Sequence, residues 1–544
     1  MKDVSKTSAN TALRDDRVGN REPAAKKESA VAAAPGQAAG LRGMKLGELL
    51  RGVETISAPP LAGLEIRGVV CHSGSVQPGG MFFALHGAKA DGNAYIAQAI
   101  SRGAAAIASE HSRPADVPPE VVWIQVREPR KALAIAAANY YGHPAEALRL
   151  VGITGTNGKT TTTHLVDSIL KATGAKTGLF GTIAYHTPHG EYPSPNTTPE
   201  SVHLQSFLAE IRDAGGKYAV LEASSHALTM DRLWGCRFAV AVFTNLTREH
   251  MDYHKTFEDY FAAKRHLFEG TGAGAPLRGV INADDPYGKQ LVGLAEKTLT
   301  YGLEEPADIT AKKFSLSFSG LAFTASTPQG KMAIESPLVG KINVYNILAA
   351  IGAALALGIK NENIEAGIRK LESVSGRFQR IDMGQKFFVI VDYAHTDDAL
   401  ENLIRTAREL NPSGRIITLF GCGGEKDRTK RPVMGEVSGR LSDLTILSSD
   451  NPRSEDPLKI ISDIVVGVQK TNGKYLIEPD REKAIGLAFD QARAGDIVLL
   501  AGKGHENYQI LGDRTLDFDD RETAREALRR RGYGGLKSGP RFGT

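Results

Sequence analysis

The chain has 544 residues, of which 42% are hydrophobic and 24% charged, a composition typical of a water-soluble globular protein. Its length suggests about three or four domains. The formal net charge of +4 is too small to indicate a nucleic-acid partner, and no long basic run is present. No stretch reaches the ~18 apolar residues of a membrane span. Three widely spaced cysteines offer neither a disulfide framework nor a metal-binding spacing, and they favour a reducing, cytoplasmic compartment: Cys71, Cys236 and Cys422.

Composition divides the chain into four parts. Residues 1–42 are rich in Ala, Lys, Ser, Asn and Gly without an apolar period, which predicts a disordered tail. Residues 43–127 alternate short apolar runs with Gly and Pro and predict a small α/β domain. We place a central domain at residues 128–373 and a C-terminal domain at residues 374–544.

The central domain opens with LRLVGITGTNGKTTTT, residues 148–163. This pattern predicts a buried strand, a tight glycine-containing turn and a helix that begins at Lys159. Backbone N–H groups and the helix dipole at such a turn attract an anion. Lys159 would reach the outer phosphates of a nucleotide, and the Thr160 hydroxyl would bind Mg²⁺. Ile153 occupies a position where the strict phosphate-loop pattern has Gly. The alternative is an ordinary strand–turn–helix unit. In such a unit, a Gly-Lys-Thr sequence directly after the turn would contribute little to packing.

Polar side chains follow two other predicted strands of this domain. The strand 218–221 ends at Glu222, and the strand 238–243 is followed by Glu249 and His250. Ligands of open parallel sheets bind beyond the carboxyl ends of the strands. Carboxylate and imidazole groups there suit Mg²⁺ and its surroundings. For Glu222 alone, helix capping explains the residue equally well.

Lys264 falls on the apolar face of a predicted helix, TFEDYFAAKRHLF. A buried, unpaired ammonium is costly and tends to lose its proton. A neutral lysine amine reacts with CO₂ to form a carbamate, an anion that binds metal ions. From the residues alone, a lysine that extends its ammonium to solvent is the more common outcome.

The C-terminal domain repeats one pattern, in which an apolar strand is followed by a polar loop and a helical segment. The strands are predicted at 387–391, 416–420, 444–447 and 497–500. This pattern predicts a doubly wound α/β domain whose loops meet along one edge. Mixed charges in those loops suit a zwitterionic substrate, and Arg453 is suited to binding a carboxylate through two hydrogen bonds. The loop residues expected in one cleft are Asp392, His395, Lys426, Asp450, Arg453, Lys503, His505 and Glu506.

From residue 43 to the C-terminus, the chain resembles the Mur ligases. Within that family it is similar to the branch that adds meso-diaminopimelate to UDP-N-acetylmuramoyl-L-alanyl-D-glutamate, because its DNPR element marks diaminopimelate rather than lysine. The motifs that carry the resemblance are TGTNGKTTT (154–162), NTTPE (196–200), EASSHAL (222–228), TNLTREHMDYH (244–254), AAK (262–264), NVYN (343–346), SGRF (375–378), DYAHT (392–396), KRPVMG (430–435), DNPRSEDP (450–457) and AGKGHE (501–506).

The resemblance implies an α/β fold of three domains: a small UDP-binding domain, a central phosphate-loop ATPase domain with a parallel sheet, and a C-terminal Rossmann-like domain. It implies ATP and Mg²⁺ as cofactors and an acyl phosphate as the intermediate, formed on the glutamyl carboxylate and attacked by the diaminopimelate amine. The expected partners are these small-molecule substrates, with neither nucleic acid nor membrane, and we expect a monomer.

The resemblance also assigns residues. The implied catalytic residues are Lys159, Glu222, His250 and Lys264, and Lys264 is implied to act as a carbamate. The implied metal ligands are Thr160, Glu222, His250 and the Lys264 carbamate. The implied nucleotide contacts are Gly155, Thr156, Asn157, Gly158, Lys159, Thr160, Thr161, Asn343, Asn346, Arg377 and Asp392. The residues implied to contact the UDP-sugar dipeptide are Ser73, Asn196, Thr197, Thr198, Ser224 and Arg232. The residues implied to contact diaminopimelate are Lys426, Asp450, Asn451, Pro452, Arg453, Gly502 and Glu506.

Some positions depart from the family pattern. Lys426 replaces an arginine expected to contact diaminopimelate, and lysine keeps the charge but lacks the planar guanidinium. The Asp-Ser-Arg element expected at the uridine site reads His72, Ser73, Gly74, so only the serine remains. Ser375 and Asp397 replace prolines, as tolerable loop changes.

Two alternative functions remain open at the level of sequence. One is a related ligase with another acceptor, such as a lysine-adding enzyme or a folate polyglutamate ligase. Arg453 argues against lysine, which lacks a second carboxylate to pair with it. The other is a nucleotide-binding regulator without catalysis, which would be expected to lose Lys159, Glu222, His250 or Lys264; all are present.

Overall fold

The computed structural model describes residues 43–58, 63–87 and 90–534. The predicted tail at residues 1–42 lies outside the described residues. Three sheets of more than two strands, each with its own helices and apolar core, follow one another along the chain. In the part of the chain that the structure describes, none of the helices combines the length and apolarity that crossing a membrane requires.

The first domain is a small α/β unit with a sheet in the order β2-β7-β6-β5-β4. Helix α3 packs its alanine-rich face into the core of this sheet. The first packing unit therefore continues beyond the boundary predicted at residue 127. Short 3₁₀ turns lie at Ser73–Ser75 and Gly92–Tyr95. The elements are β1 Met44–Lys45, α1 Leu46–Leu49, β2 Thr55–Ser57, β3 Glu65–Ile66, β4 Val69–Val70, β5 Met81–Phe83, α2 Ile96–Ser101, β6 Ala106–Ser109, β7 Val122–Val126 and α3 Pro129–Tyr140.

The central domain is built on an eleven-stranded sheet. The elements are α4 Pro144–Ala147, β8 Arg149–Thr154, α5 Lys159–Ala172, β9 Thr177–Phe180, β10 Ala184–Thr187, β11 Gly190–Pro193, α6 Ser201–Asp213, β12 Tyr218–Glu222, α7 Ser225–Thr229, β13 Phe238–Phe243, α8 Phe257–Glu269, β14 Arg278–Asn282, α9 Pro286–Lys289, β15 Thr298–Gly302, β16 Ile309–Ser317, β17 Gly320–Thr327, β18 Gly330–Ser336, α10 Lys341–Ala356 and α11 Asn361–Lys370.

The centre of this sheet is parallel, in the order β9-β12-β8-β13-β14-β15-β16, as expected. Antiparallel strands β10 and β11 extend one edge, and β17 and β18 extend the other, which the sequence pattern did not predict. Strand β8 lies between β12 and β13, so the carboxyl ends of three buried strands meet beside the glycine-containing turn. Helix α5 packs closely on α11 at Gly367. A Cβ at that position would lie 2.3 Å from Ile169 Cα, so a larger residue would separate the two helices.

The C-terminal domain carries a six-stranded sheet in the order β19-β20-β24-β21-β22-β23. The four predicted strands are its neighbouring parallel members β20, β24, β21 and β22, so their loops share one edge. The elements are β19 Gln379–Ile381, β20 Phe388–Asp392, α12 Asp397–Leu410, β21 Ile416–Phe420, α13 Lys430–Leu441, β22 Leu444–Leu447, α14 Pro457–Gln469, β23 Tyr475–Ile477, α15 Arg481–Gln491, β24 Ile497–Ala501, β25 Tyr508–Leu511, β26 Arg514–Asp517 and α16 Asp520–Arg530.

Candidate active site

The turn between β8 and α5 forms a tight loop around the start of the helix. Gly155 has φ +144°, and a Cβ there would lie 1.9 Å from Thr244 Oγ1, so only glycine fits. The backbone N–H of Asn157 donates to Asn245 Oδ1 at 2.9 Å. Lys159 Nζ donates to the carbonyl oxygens of Gly155 and Thr156, at 3.0 and 2.8 Å. Lys159 therefore folds over its own loop, within reach of an anion bound there.

Thr160 and Glu222 form an oxygen pair at the end of the loop. Thr160 Oγ1 donates to Glu222 Oε2 at 3.0 Å, and Glu222 is buried. The backbone N–H of Thr182 donates to Glu222 Oε1 at 2.8 Å and orients the carboxylate. Arg377 Nη2, from the beginning of the C-terminal domain, donates to Thr160 Oγ1 at 3.2 Å.

This oxygen pair fits Mg²⁺. Magnesium prefers oxygen ligands, keeps several waters and takes few protein ligands. Within the described residues, no three His, Cys, Asp or Glu side chains gather in a way that would hold a metal ion. A hydroxyl and a single carboxylate beside a phosphate loop are nevertheless the kind of set that Mg²⁺ takes together with a nucleotide.

Lys264 does not extend to solvent, in contrast to the alternative that the residues alone favoured. Its side chain is 1% exposed, because helix α8 turns that face into the core. Lys264 Nζ donates to Gly155 O at 2.8 Å and lies 4.3 Å from the centre of the Tyr260 ring. Burial, with the nearby Lys159 charge, lowers the pKa of Lys264 well below its usual value.

Glu249 and His250 lie between the central and C-terminal domains. A carboxylate oxygen of Glu249 lies 3.5 Å from His250 Nε2, and the other lies 3.2 Å from His395 Nε2. Burial lowers the pKa of His250 to about 4, so its imidazole is neutral near pH 7. Burial opposes ionisation of Glu249, but the two histidines hold the pKa of its carboxyl well below the usual value.

A cavity of about 220 Å³ lies over the phosphate loop. Across it, Asn346 Nδ2 donates to Asn343 Oδ1 at 2.9 Å at the start of α10. Asp392 accepts backbone hydrogen bonds from Phe378 and Ala394, and burial raises the pKa of its carboxyl. The predicted residues that line this cavity are Thr156, Asn157, Gly158, Lys159, Thr160, Thr161, Thr197, Glu222, Ser224, His250, Lys264, Asn343, Asn346, Arg377 and Asp392.

A second cavity, of about 280 Å³, lies at the strand ends of the C-terminal domain. Arg453 has φ +55°, and its Nη1 donates to Gly424 O at 2.7 Å. Lys426 is mostly exposed, with its Nζ 4.0 Å from Asp252 Oδ2 of the central domain. The predicted residues that line this cavity are His250, His395, Lys426, Asp450, Asn451, Arg453, Gly502 and Glu506.

Lys503 lies fully buried behind the second cavity. Its Nζ is 3.1 Å from Glu506 Oε2 and 3.7 Å from Asp450 Oδ1. Asn451 Nδ2 donates to the same Glu506 oxygen at 2.9 Å. Burial, and next to it the charge of Asp450, raises the pKa of Glu506, while Lys503 opposes this.

The two cavities share a wall. Four side chains line both: Glu249, His250, Tyr393 and His395. Both cavities lie between the central and C-terminal domains, and groups bound in them would lie on either side of this shared wall. Such an arrangement suits transfer between a nucleotide and an amino acid, because the reacting groups approach without crossing bulk solvent.

Some predicted residues line neither cavity. Ser73 donates to Gln98 Oε1 at 2.6 Å within the first domain. Thr198 Oγ1 donates to Glu222 O at 2.6 Å, and Arg232 Nη1 donates to Thr198 O at 3.0 Å, so both support the loop that presents Thr197. Further members of this group are Asn196, whose carbonyl accepts from Tyr185 and Ser194, and Pro452, whose carbonyl accepts from Glu455 N at 3.0 Å.

The sequence reasoning missed Asp398 and Tyr393. Asp398 Oδ2 accepts from Asn157 Nδ2 at 2.6 Å, so the phosphate loop is bonded directly to the C-terminal domain. Arg377 lies over the Tyr393 ring at 4.8 Å. Tyr393 lies within the DYAHT motif, and Asp398 follows it by two residues, in the first turn of helix α12. An acidic residue at the start of a helix is ordinarily explained by the helix dipole, so its position alone does not indicate an interdomain contact.

Family models cover most of the described chain. The Mur ligase middle domain matches residues 153–354, the Mur ligase glutamate ligase domain matches 376–504, and the Mur ligase family catalytic domain matches 65–141. A curated relative from Solibacter usitatus (strain Ellin6076) is 50% identical over 493 residues, covering 90% of this chain and 99% of the relative. The chain is a Mur ligase. This result confirms the resemblance and the three-domain α/β fold.

The curated relatives of this Mur ligase agree in their names. Those from Solibacter usitatus and Geobacillus kaustophilus (strain HTA426) are both named UDP-N-acetylmuramoyl-L-alanyl-D-glutamate--2,6-diaminopimelate ligase. The second is 46% identical and covers 84% of this chain and 94% of the relative. A solved structure of the same name is 32% identical, with a TM-score of 0.63, and the match covers 90% of this chain and 100% of that one.

Proposed function

We propose that this Mur ligase adds meso-diaminopimelate to the D-glutamyl carboxylate of UDP-N-acetylmuramoyl-L-alanyl-D-glutamate in peptidoglycan precursor synthesis. The carboxylate attacks the γ-phosphorus of ATP, and ADP leaves. The diaminopimelate amine then adds to the carbonyl carbon of the acyl phosphate, loses a proton, and expels phosphate as the amide forms. The products are the tripeptide conjugate, ADP and phosphate.

The observation that carries this proposal is the wall shared by the two cavities. One cavity contains a phosphate loop with its lysine and oxygen pair, and the other contains a guanidinium beside carboxylates. A ligase that activates a carboxylate with ATP and joins it to a zwitterionic amino acid requires this combination. The names of the curated relatives support the same reaction.

On the nucleotide side, Lys159 would leave its loop carbonyls and bind the outer phosphates. Its charge stabilises the negative charge that moves during phosphoryl transfer. Thr160 and Glu222 would hold Mg²⁺, which when bound neutralises phosphate oxygens and orients the γ-phosphate. The remaining nucleotide contacts that we assign are Gly155, Thr156, Asn157, Gly158, Thr161, Asn343, Asn346, Arg377 and Asp392.

We assign Lys264 as a carbamylated lysine and His250 as a neutral imidazole that serves the metal site. Lys264 is fully buried beside the phosphate loop, and it forms no ion pair within the described residues. Burial and the Lys159 charge favour the neutral amine of Lys264, which is the form that reacts with CO₂. The resulting carbamate is an anion that the nearby Lys159 ammonium would attract.

On the amino-acid side, Arg453 would bind the distal carboxylate of meso-diaminopimelate, and Asp450 would bind its distal ammonium. L-Lysine has the ammonium but lacks the carboxylate. Binding lysine would therefore leave the Arg453 guanidinium without its partner, and sites with such an unpaired group discriminate strongly. Further contacts that we assign are Lys426, Asn451, Pro452, Gly502 and Glu506.

The UDP-sugar dipeptide would approach from the first domain. Thr197 and Ser224 line the nucleotide cavity, and they are suited to holding the glutamyl end near the γ-phosphate. Ser73, Asn196, Thr198 and Arg232 are assigned to the rest of this substrate. The substrates are small molecules, and we propose a cytoplasmic monomer.

The test is phosphate release by the purified protein with ATP, Mg²⁺ and UDP-N-acetylmuramoyl-L-alanyl-D-glutamate, with meso-diaminopimelate compared to L-lysine. We expect release with meso-diaminopimelate and little with lysine. Release with lysine at an equal rate would contradict the acceptor assignment. Release with neither amino acid, by protein that still binds ATP, would contradict the reaction itself.

A further inference from the structure

Two residues of the C-terminal domain contact the central domain beside the oxygen pair of Thr160 and Glu222. Arg377 Nη2 donates to Thr160 Oγ1 at 3.2 Å. The His505 imidazole interacts with the backbone of Thr182. Thr160 and Thr182 both donate to the buried Glu222 carboxylate, so the two contacts converge on one side chain of the central domain.

The two loops that carry Arg377 and His505 pack directly against each other. A Cβ on Gly376 would lie 2.1 Å from His505 N, and Gly376 has φ +67°, so only glycine allows this approach. Gly376 O also accepts from Tyr393 N at 2.9 Å. A displacement of one loop would therefore move the other.

Arg521, in the first turn of helix α16, joins the same two loops. Its Nη1 donates to the Ser375 hydroxyl, and its Nη2 donates to His505 O at 3.3 Å. Asp519 accepts from Arg521 Nε at 2.9 Å and also from Nη2, which fixes the plane of the guanidinium. The Arg521 side chain is 18% exposed and lines neither cavity. It is a mostly buried cross-link that lies outside both cavities.

The bond to Ser375 depends on a departure from the family pattern. That pattern has proline at this position, and a proline side chain offers no hydrogen-bond acceptor. Proline restricts the backbone by fixing φ, whereas serine leaves the backbone freer and accepts from the guanidinium instead. In this chain the Arg521 bond therefore supplies a restraint that proline would supply through its covalent ring.

We infer that Arg521 is a positioning residue for phosphoryl transfer: it holds the two loops so that Arg377 stays against Thr160. The inference rests on the proposed function, which assigns Arg377 to the nucleotide and Thr160 to Mg²⁺. A guanidinium stabilises a transferring phosphoryl group when it is already in place before the reaction, and a displacement of about 1 Å can cost about 10²-fold in rate.

The amino-acid cavity should depend much less on Arg521. Glu506, which follows His505 directly, is held by Asn451 Nδ2 at 2.9 Å and by Lys503 Nζ at 3.1 Å. These partners belong to the same domain and do not contact the guanidinium. Loss of Arg521 should therefore separate the two cavities, with an effect on turnover and little effect on amino-acid binding.

The first test compares Arg521→Met with the wild-type enzyme by phosphate release. We expect kcat to fall by about 10- to 100-fold, because Arg377 loses its fixed position. The KM for meso-diaminopimelate should change less than threefold. Arg525→Met is the matched control, since Arg525 lies one turn further along the same helix and pairs with Glu522.

Two outcomes of this comparison would overturn the inference. One is an Arg521→Met enzyme with the same kcat as the Arg525→Met control. The other is a rise in the KM for meso-diaminopimelate as large as the fall in kcat, because the effect of Arg521 would then lie in the amino-acid cavity.

Substitutions at Ser375 separate positioning from the stability of the fold. Ser375→Ala removes the acceptor, and we expect kcat to fall by about three- to tenfold. Ser375→Thr keeps a hydroxyl and should retain most of the activity, and Ser375→Pro should exceed the alanine variant because its φ is fixed. Equal kcat values for the alanine and threonine variants would contradict the role of the Ser375 hydroxyl and with it the inference.

The double variant tests whether Arg521 and Ser375 act through one bond. Arg521→Met already removes that bond, so adding Ser375→Ala should lower kcat no further. Fully multiplicative effects of the two substitutions would show independent roles and would contradict the inference.

Two further measurements keep the result interpretable. Thermal unfolding of each variant shows whether it folds, and the Ser375 series decides the question if Arg521→Met does not. Wild-type enzyme inactive with meso-diaminopimelate would contradict the proposed function. Active wild-type enzyme whose Arg521 and Ser375 variants keep its kcat would contradict only the role of Arg521.

Discussion

The nucleotide cavity and the amino-acid cavity are built in different ways. The phosphate loop is one continuous stretch, residues 155–160, whose backbone geometry and lysine belong to adjacent positions. The amino-acid cavity is assembled from separate loops after β20, β21, β22 and β24, and buried ion pairs hold its charges in place. Activation of a carboxylate therefore depends on local structure, while selection of the amino acid depends on how four loops pack.

The largest expected difference between the two cavities is at Lys264, whose substitution should reduce turnover without changing amino-acid binding. In Lys264→Ala the nucleotide site loses its buried lysine, and we expect turnover to fall by about 10²–10³-fold, the range for removing one preorganised electrostatic group. Added bicarbonate should not restore activity, because no amine remains to be carbamylated. Calorimetric binding of diaminopimelate should change less than threefold. Lys255→Ala, an exposed lysine just before the same helix, is the control, and a fully active Lys264→Ala enzyme would refute the assignment.

Arg453 provides the matching test on the amino-acid side. Arg453→Leu removes the guanidinium, so we expect the KM for meso-diaminopimelate to rise by about 10²-fold, as when one partner of a hydrogen-bonded charge pair is truncated. The preference over L-lysine should shrink correspondingly, while the KM for ATP stays within threefold. Arg428→Leu, which removes an exposed arginine paired with Glu455, is the control. An unchanged preference over lysine would show that selectivity originates elsewhere.

The contact between the two regions is tested at Asp398. Asp398→Asn weakens the bond to Asn157 of the phosphate loop, and hydrogen bonds to charged groups contribute about 1.5–3 kcal/mol. We expect the KM for ATP to rise by roughly tenfold or more. Glu401→Gln is the control, since that glutamate lies on the same helix and pairs with Arg405 and Arg440. If both substitutions raised the KM for ATP equally, Asp398 would contribute only to the stability of helix α12 and not through its bond to Asn157.

The smallest effect is expected at Lys426. Lys426→Arg restores the planar guanidinium that the family pattern has there. The side chain is mostly exposed and lies 4.0 Å from Asp252, so solvent screens its interactions. Exposed pairs contribute about 0.2–1 kcal/mol, and we expect the KM for diaminopimelate to fall by no more than about fivefold. A tenfold or larger decrease would place Lys426 inside the closed pocket.

The sequence anticipated much of this molecule where chemistry is local. The strand, turn and helix around Lys159 were predicted correctly because glycine positions and helix starts are encoded by neighbouring residues. The strands at Ile416–Phe420 and Leu444–Leu447 occur at the predicted positions, because short apolar runs bounded by polar loops specify them. The antiparallel strands β17 and β18 were missed because half-exposed hairpins carry a weak apolar pattern.

What the sequence by itself determined is the set of chemical groups: a phosphate loop, acids and imidazoles after strands, and an arginine suited to a carboxylate. What only the tertiary structure decided is which of these groups meet and in what charge state. Packing of helix α8 turned Lys264 inward, and domain contact bonded Asn157 to Asp398. Burial and ion-pair geometry depend on residues hundreds of positions apart, so no local pattern contains them.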